Sequence, residues 1–241
     1  EQSNIIAANS FSYQTGIGET STIQLPDSSE LLLNTNSSVN ITYTAQARVI
    51  ELQRGEIHID VAHDTVRPLS VLAGGQVIQA VGTAFNVQLE EDLVELIVTQ
   101  GKVLVQEKPI EEFQLLIDTN NTKLSLNERS ISKDEKIELI LGNDAIQKTV
   151  KVDSRDIATK LSWRKGKLIF TGESLEEVLV EIGRYTKVQF ELEQNSSIQG
   201  VKVAGIFKTG DVTGLLKVLA RNFNINHEKV SEDKIKLHYQ G

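Results

Sequence analysis

The chain has no cysteine and no methionine, and only three prolines and one tryptophan in 241 residues. Without cysteine it has no disulfide, no thiolate metal site and no cysteine nucleophile. That absence leaves the compartment open. No apolar run approaches the ~18 residues a membrane-spanning helix requires. The chain starts at Glu1, and without any methionine it reads as a processed product or excised fragment. Basic residues number 25 against 33 acidic ones, for a net charge of −8. No basic stripe is present, which argues against nucleic acid as a partner. Aromatics make up 5 % of the chain, too few to suggest a surface built for stacking sugars.

The four histidines show no HxH or HExxH spacing. His58 falls on the polar face of a strand and reads as solvated, and His63 falls in a turn. Glu90-Glu91-Asp92 and Glu111-Glu112 read as hairpin tips, not as a calcium cluster. Gly74-Gly75 does not open a helix and is no phosphate loop. Neither a metal nor a cofactor is implied.

What is present is alternation. Ile23 and Leu25, then Val39, Ile41 and Tyr43, then Ile57, Ile59 and Val61, and later Phe113, Leu115 and Ile117 all recur with period two. That is the pattern of half-buried strands. Turn residues separate the runs at Pro26-Asp27, 34–38, Arg54-Gly55, 73–75, Gln100-Gly101 and 118–121. Residues 1–150 therefore read as an all-β domain, a sandwich or a solenoid. Residues 77–89 read as one strand, with Val77, Val81, Phe85, Val87 and Leu89 on one face. Ile137 to Leu141 suggests a further strand or short helix, and 153–161 a helix. Residues 151–162 read as a connector.

From residue 163 to 241 the period changes. Ser174 and Glu177 form a capping box ahead of the stripe Leu175, Val178, Leu179 and Ile182. Asp211 caps a second stripe of Val212, Leu215, Leu216, Leu219 and Phe223. Strands are expected at 167–170, 188–192, 201–207 and 235–239. Phe170, Ser174, Leu175, Val178, Leu179, Ile182, Arg184 and Val188 recur 37 positions later as Phe207, Asp211, Val212, Leu215, Leu216, Leu219, Arg221 and Ile225. This predicts two βαβ units in one small α/β domain. Its expected open edges, near Val201, Val203 and Phe207 and near Lys234, Lys236 and His238, are candidate partner-binding strands.

Several segments, in order and over nearly the whole chain, resemble the periplasmic part of FecR-family anti-sigma regulators. They are Leu25 to Tyr43, Arg48 to Val61, Arg67-Pro68-Leu69-Ser70-Val71, Val81-Gly82-Thr83-Ala84-Phe85-Asn86-Val87, Gly101-Lys102-Val103, Trp163 to Phe170 and Leu175 to Tyr185. Pro26-Asp27-Ser28-Ser29 departs from the family's Asp-Gly-Ser turn. The resemblance implies a periplasmic location and a single-pass anchor outside this chain. It implies an extracytoplasmic-function sigma factor held by a cytoplasmic segment that is also outside it. Further partners implied are periplasmic proteases and the signalling domain of a TonB-dependent outer-membrane transporter loaded with an iron chelate. The C-terminal half would resemble the secretin/TonB short N-terminal domain.

In some members of that family the chain breaks itself at a Gly-Thr bond. Gly82 and Thr83 are the matching pair. The Thr83 hydroxyl would attack the Gly82 carbonyl, and water would open the resulting ester. Such a chain is its own single-turnover substrate, not a turnover enzyme. The alternative reading of the bond is structural, with Gly82 allowing close packing and Thr83 facing the core. The alternative reading of the whole chain is a periplasmic envelope- or polysaccharide-binding β protein with a docking domain.

Overall fold

The computed structural model describes residues 9–107, 112–113, 123–124, 129–142, 149–193 and 198–240. Chain contacts divide them into two units. The first runs up to Gly16 and from Thr20 to Ile157, and the second holds Ile17–Glu19 and continues from Ala158.

The first unit is a curled β-sheet. Its strands are β1 (Asn9–Gln14), β2 (Ser21–Gln24), β3 (Glu30–Leu33), β4 (Ser38–Tyr43), β5 (Arg48–Asp60), β6 (Leu69–Ala73), β7 (Gln76–Ala80), β8 (Ala84–Leu89), β9 (Leu93–Gln100), β10 (Lys102–Glu107), β11 (Arg129–Ser132), β12 (Glu135–Ile140) and β13 (Val150–Lys151). The long strand β5 organises it. Its first half pairs β4 antiparallel and β6 parallel, and its second half pairs β3 and β8, both antiparallel. The order β1-β4-β5-β6-β7-β10-β11 therefore makes one layer and β2-β3-β5-β8-β9-β12-β13 the other. The all-β expectation for this region holds, as one curled sheet of 13 strands.

Gly55 is where β5 passes from one layer to the other. It has φ 87°, and a Cβ there would lie 2.4 Å from Ser37 Oγ, so only glycine fits. The Arg54-Gly55 pair, expected as a turn, is a bend inside one continuous strand. Alternation sends Ile50, Leu52, Ile57, Ile59, Phe85, Val87, Leu96 and Val98 into one core between the layers. Each large apolar side chain buried there contributes about 1.5–3 kcal/mol.

Three expectations are corrected. Residues 77–89 are two strands, not one. β7 and β8 lie in different layers, and Val77 joins a separate cluster with Ala47, Val49, Leu72 and Phe113. Phe113 lies in a helical turn and is buried, while Leu115 and Ile117 fall outside the described residues. His58, expected to be solvated, is 4 % exposed, and its neighbour Glu56 is as buried.

The helix α1 (Ser154–Lys160) spans the point in the chain where the first unit ends, and the second unit continues with a short 3-10 helix (Leu161–Lys165), β14 (Lys167–Ser174), α2 (Leu175–Gly183), β15 (Gln189–Leu192), β16 (Lys202–Lys208), α3 (Val212–Phe223), β17 (Ile225–Ser231) and β18 (Lys234–Tyr239). The capping box forms as expected, with Ser174 Oγ accepting from the Glu177 amide and the Glu177 carboxylate accepting from the Ser174 amide. Asp211 caps α3 by accepting from the Gly214 amide. The repeated stripes of both helices are buried. Phe170 and Phe207, equivalent in the repeat, pack with ring centroids 5.8 Å apart.

The repeat is strand, helix, strand, but not two βαβ units within one sheet. β14 pairs β16 antiparallel in a two-stranded sheet, whereas β15 and β17 flank β18 in a second sheet. The two strands of each copy thus lie in different sheets. The central β18 closes the second sheet, so its edges are not open.

Candidate functional site

The link between β7 and β8 holds Gly82 and Thr83. Alternation of an extended backbone presents the Val81 and Thr83 carbonyls to the segment after β5. Val81 accepts from the Asp64 amide and Thr83 from the Val61 amide, both at 2.9 Å. These two bonds clamp the Gly-Thr link from either side. The Gly82 carbonyl faces the other way, toward Gly101.

Close approach favours glycine at both 82 and 101. A Cβ on Gly82 would lie 2.5 Å from His63 Nδ1. A Cβ on Gly101, at φ 77°, would lie 2.7 Å from the Thr83 methyl and 3.4 Å from the Gly82 carbonyl oxygen. Thr83 is 4 % exposed, and its hydroxyl is buried without a hydrogen-bond partner among the described residues. An unpaired buried hydroxyl costs about 1–3 kcal/mol. The arrangement brings together a buried hydroxyl, the carbonyl just before it in the chain, and an exposed imidazole packed beside the Gly82 Cα. His63 and Gly101 were not singled out for this site from sequence. His63 lies 19 positions from Gly82 with no spacing signal, and Gly101 reads as an ordinary turn.

Beside this link is a buried node. The Arg48 guanidinium is fully buried and donates to Asp27 at 2.5 Å, to the Arg67 carbonyl at 2.7 Å and to the Ala62 carbonyl at 3.1 Å. Asp27 also accepts from the Ser29 amide and hydroxyl, and the Ser29 hydroxyl accepts from the Ala62 amide. Burial pushes the Asp27 carboxyl up, but the two Ser29 donors and Arg48 outweigh it and hold it below its ordinary value. Burial and the Asp27 charge push the neighbouring Tyr43 hydroxyl well above its own. In the Pro26-Asp27-Ser28-Ser29 turn, Ser28 takes the left-handed conformation (φ 71°) that glycine adopts most readily.

The remaining site expectations divide. Val203 and Phe207 are buried and face the core, so they present no side chain to a partner. Ala204 and Ile206, between them, face out. Val201 precedes β16, and its carbonyl accepts from the Leu175 amide. Lys234, Lys236 and His238 are half-buried on the central strand β18, and Lys234 pairs with Glu191 at 2.7 Å. The edge expected there is therefore occupied on both sides. Among the described residues no three His, Asp or Glu side chains are grouped to hold a metal, and no helix is long and apolar enough to cross a membrane.

Residues 11–104 match the family model described as "FecR protein". That stretch covers most of the curled sheet, which is thus similar to the FecR family. No curated protein matches the sequence. Two crystal structures of a candidate anti-sigma factor from Parabacteroides distasonis ATCC 8503, at 1.65 and 2.50 Å, share the fold. Both superpose with a TM-score of 0.69. They are 20 % and 19 % identical, over 96 % and 97 % of this chain and all of theirs.

Proposed function

We propose that this chain is the periplasmic sensor region of an anti-sigma regulator. It binds the signalling domain of a TonB-dependent outer-membrane transporter and relays iron-chelate status to an extracytoplasmic-function sigma factor. The observation that carries this reading is the union of two parts, a β unit similar to the FecR family and a repeated strand-helix-strand unit. That order is also the order of the resemblance to FecR regulators. The second unit resembles the secretin/TonB short N-terminal domain in its repeat, and it offers exposed strand edges for docking. The sigma factor is held through a cytoplasmic segment of the regulator, and periplasmic proteases are further partners in the relay.

Self-cleavage at Gly82-Thr83 belongs to the same reading. The Thr83 hydroxyl adds to the Gly82 carbonyl carbon, the C–N bond breaks, and the amide nitrogen leaves as the protonated amine. The resulting ester takes up water and releases the Gly82 carboxylate and the Thr83 hydroxyl. The buried hydroxyl, unpartnered among the described residues, supports it, since no other hydrogen bond there must break first. For sugar binding the surface offers little. Phe11 is the one large exposed aromatic side chain among the described residues.

The test is a sigma-dependent reporter in cells that carry the whole regulator. Deleting the second unit should leave the reporter unresponsive to the iron chelate while the regulator is still made. An unchanged response to the chelate would overturn the reading.

A further inference from the structure

Two lysines sit where electrostatics disfavours them. Lys167 on β14 and Lys208 on β16 are directly opposite in the register, both exposed, and neither has an ion-pair partner among the described residues. Like charges facing each other across strands destabilise the pair. The chain as a whole carries net charge −8, so this basic end stands against its overall sign. Lys165, also exposed, adds a third positive charge just before β14.

The same two-stranded sheet leaves an edge open. Among the described residues β16 pairs with β14 alone. Its outward row reads Lys202, Ala204, Ile206, Lys208, and Ile206 is 66 % exposed. Lysines on an edge usually blunt pairing. Edge protection, however, requires neither a second lysine directly across the ladder nor a large bare isoleucine between the charges. Both features become favourable if an incoming strand brings acid to the ends and apolar side chains to the middle.

We propose that the open edge of β16 is a docking site for an extended acidic segment of a partner protein, added as a third strand of the β14–β16 sheet. The matching segment carries Asp or Glu at its first and seventh positions and apolar residues at its third and fifth. The row is symmetric in character, so the segment fits in either direction. Lys208 and Lys167 together hold one acidic end. Lys202, which also feels the Glu177 carboxylate, holds the other. The assignment of this strand to the transporter's signalling domain rests on the reading under Proposed function. The docking site itself does not.

The test uses a fluorescent seven-residue peptide with Glu at positions one and seven, Val at three and five, and Thr elsewhere. It should bind the chain, and binding should weaken with salt. Lys167→Glu/Lys208→Glu should weaken it by about tenfold or more, and Lys208→Gln by less. Circular dichroism checks that the variants keep their fold, as expected for exposed positions. A peptide methylated at alternate backbone nitrogens should not bind, because strand addition needs those donors. No binding to the unaltered chain would overturn the site. So would binding indifferent to Lys208, or lysine-dependent binding to anionic lipid vesicles with none to the peptide. Displacement of the bound peptide by a TonB-dependent transporter's signalling domain assigns the strand to that domain. Failure to displace removes that assignment and leaves the docking site standing.

Discussion

Asp27 and Arg48 meet at 2.5 Å inside the β unit, with Arg48 wholly out of water and Asp27 nearly so. The pair joins the turn after β2 to the start of β5. Through the Ala62 and Arg67 carbonyls it also fixes the segment that clamps Gly82-Thr83. Breaking one partner of such a pair leaves an uncompensated buried charge. Arg48→Ala should therefore cost about 3–5 kcal/mol in denaturant unfolding. A loss under about 1 kcal/mol would mean the node is not sealed from water.

The same node sets an acid limit. Asp27 is held below its ordinary value of 3.8 in the fold and returns to it on unfolding. A lowered folded value adds stability at pH above the unfolded value, and that stability is lost as pH falls through the folded one. Stability should therefore drop below about pH 3.8, toward the lower folded value. Asp27→Asn should be weaker at neutral pH and lose this part of the acid dependence. Unfolding curves across pH on both proteins check it.

Ser28 holds a left-handed backbone that costs a non-glycine residue about 1 kcal/mol. Ser28→Gly should raise the unfolding free energy by up to about that amount, since the Ser28 side chain has no part in the node. A loss of stability would show that the side chain holds the turn in some other way.

Thr83 gives two separable readouts. Thr83→Val removes a buried hydroxyl without a partner among the described residues and keeps the shape, so stability should hold or rise by about 1 kcal/mol. Gly101→Ala should lower it by more than about 1 kcal/mol, through both its positive φ and the Thr83 methyl. For cleavage, intact mass on the purified natural chain should show a break between Gly82 and Thr83 that Thr83→Ala abolishes. Uncut chain in both proteins would leave Thr83 as a core residue.

Much of this was legible before any coordinates. Period-two runs marked strands such as β4, which buries one face, and the capping box and the repeat marked both helices because their caps are local chemistry. The continuity of β5 was hidden, since glycine signals a bend and a turn alike. The burial of Glu56 and His58 was hidden too, because alternation shows which residues share a face and not what covers it. His63 beside Gly82 is a long-range neighbour that no local pattern reports. Val203 and Phe207 marked a strand correctly, but the exposed side of that strand belongs to Ala204 and Ile206.

The central claim is partner recognition, and titration calorimetry tests it most directly. The purified chain is titrated with the signalling domain of a TonB-dependent transporter from the same organism, beside a glycan panel. The signalling domain should give a saturable one-to-one heat and the glycans none. Heat from a glycan and none from any signalling domain would contradict it.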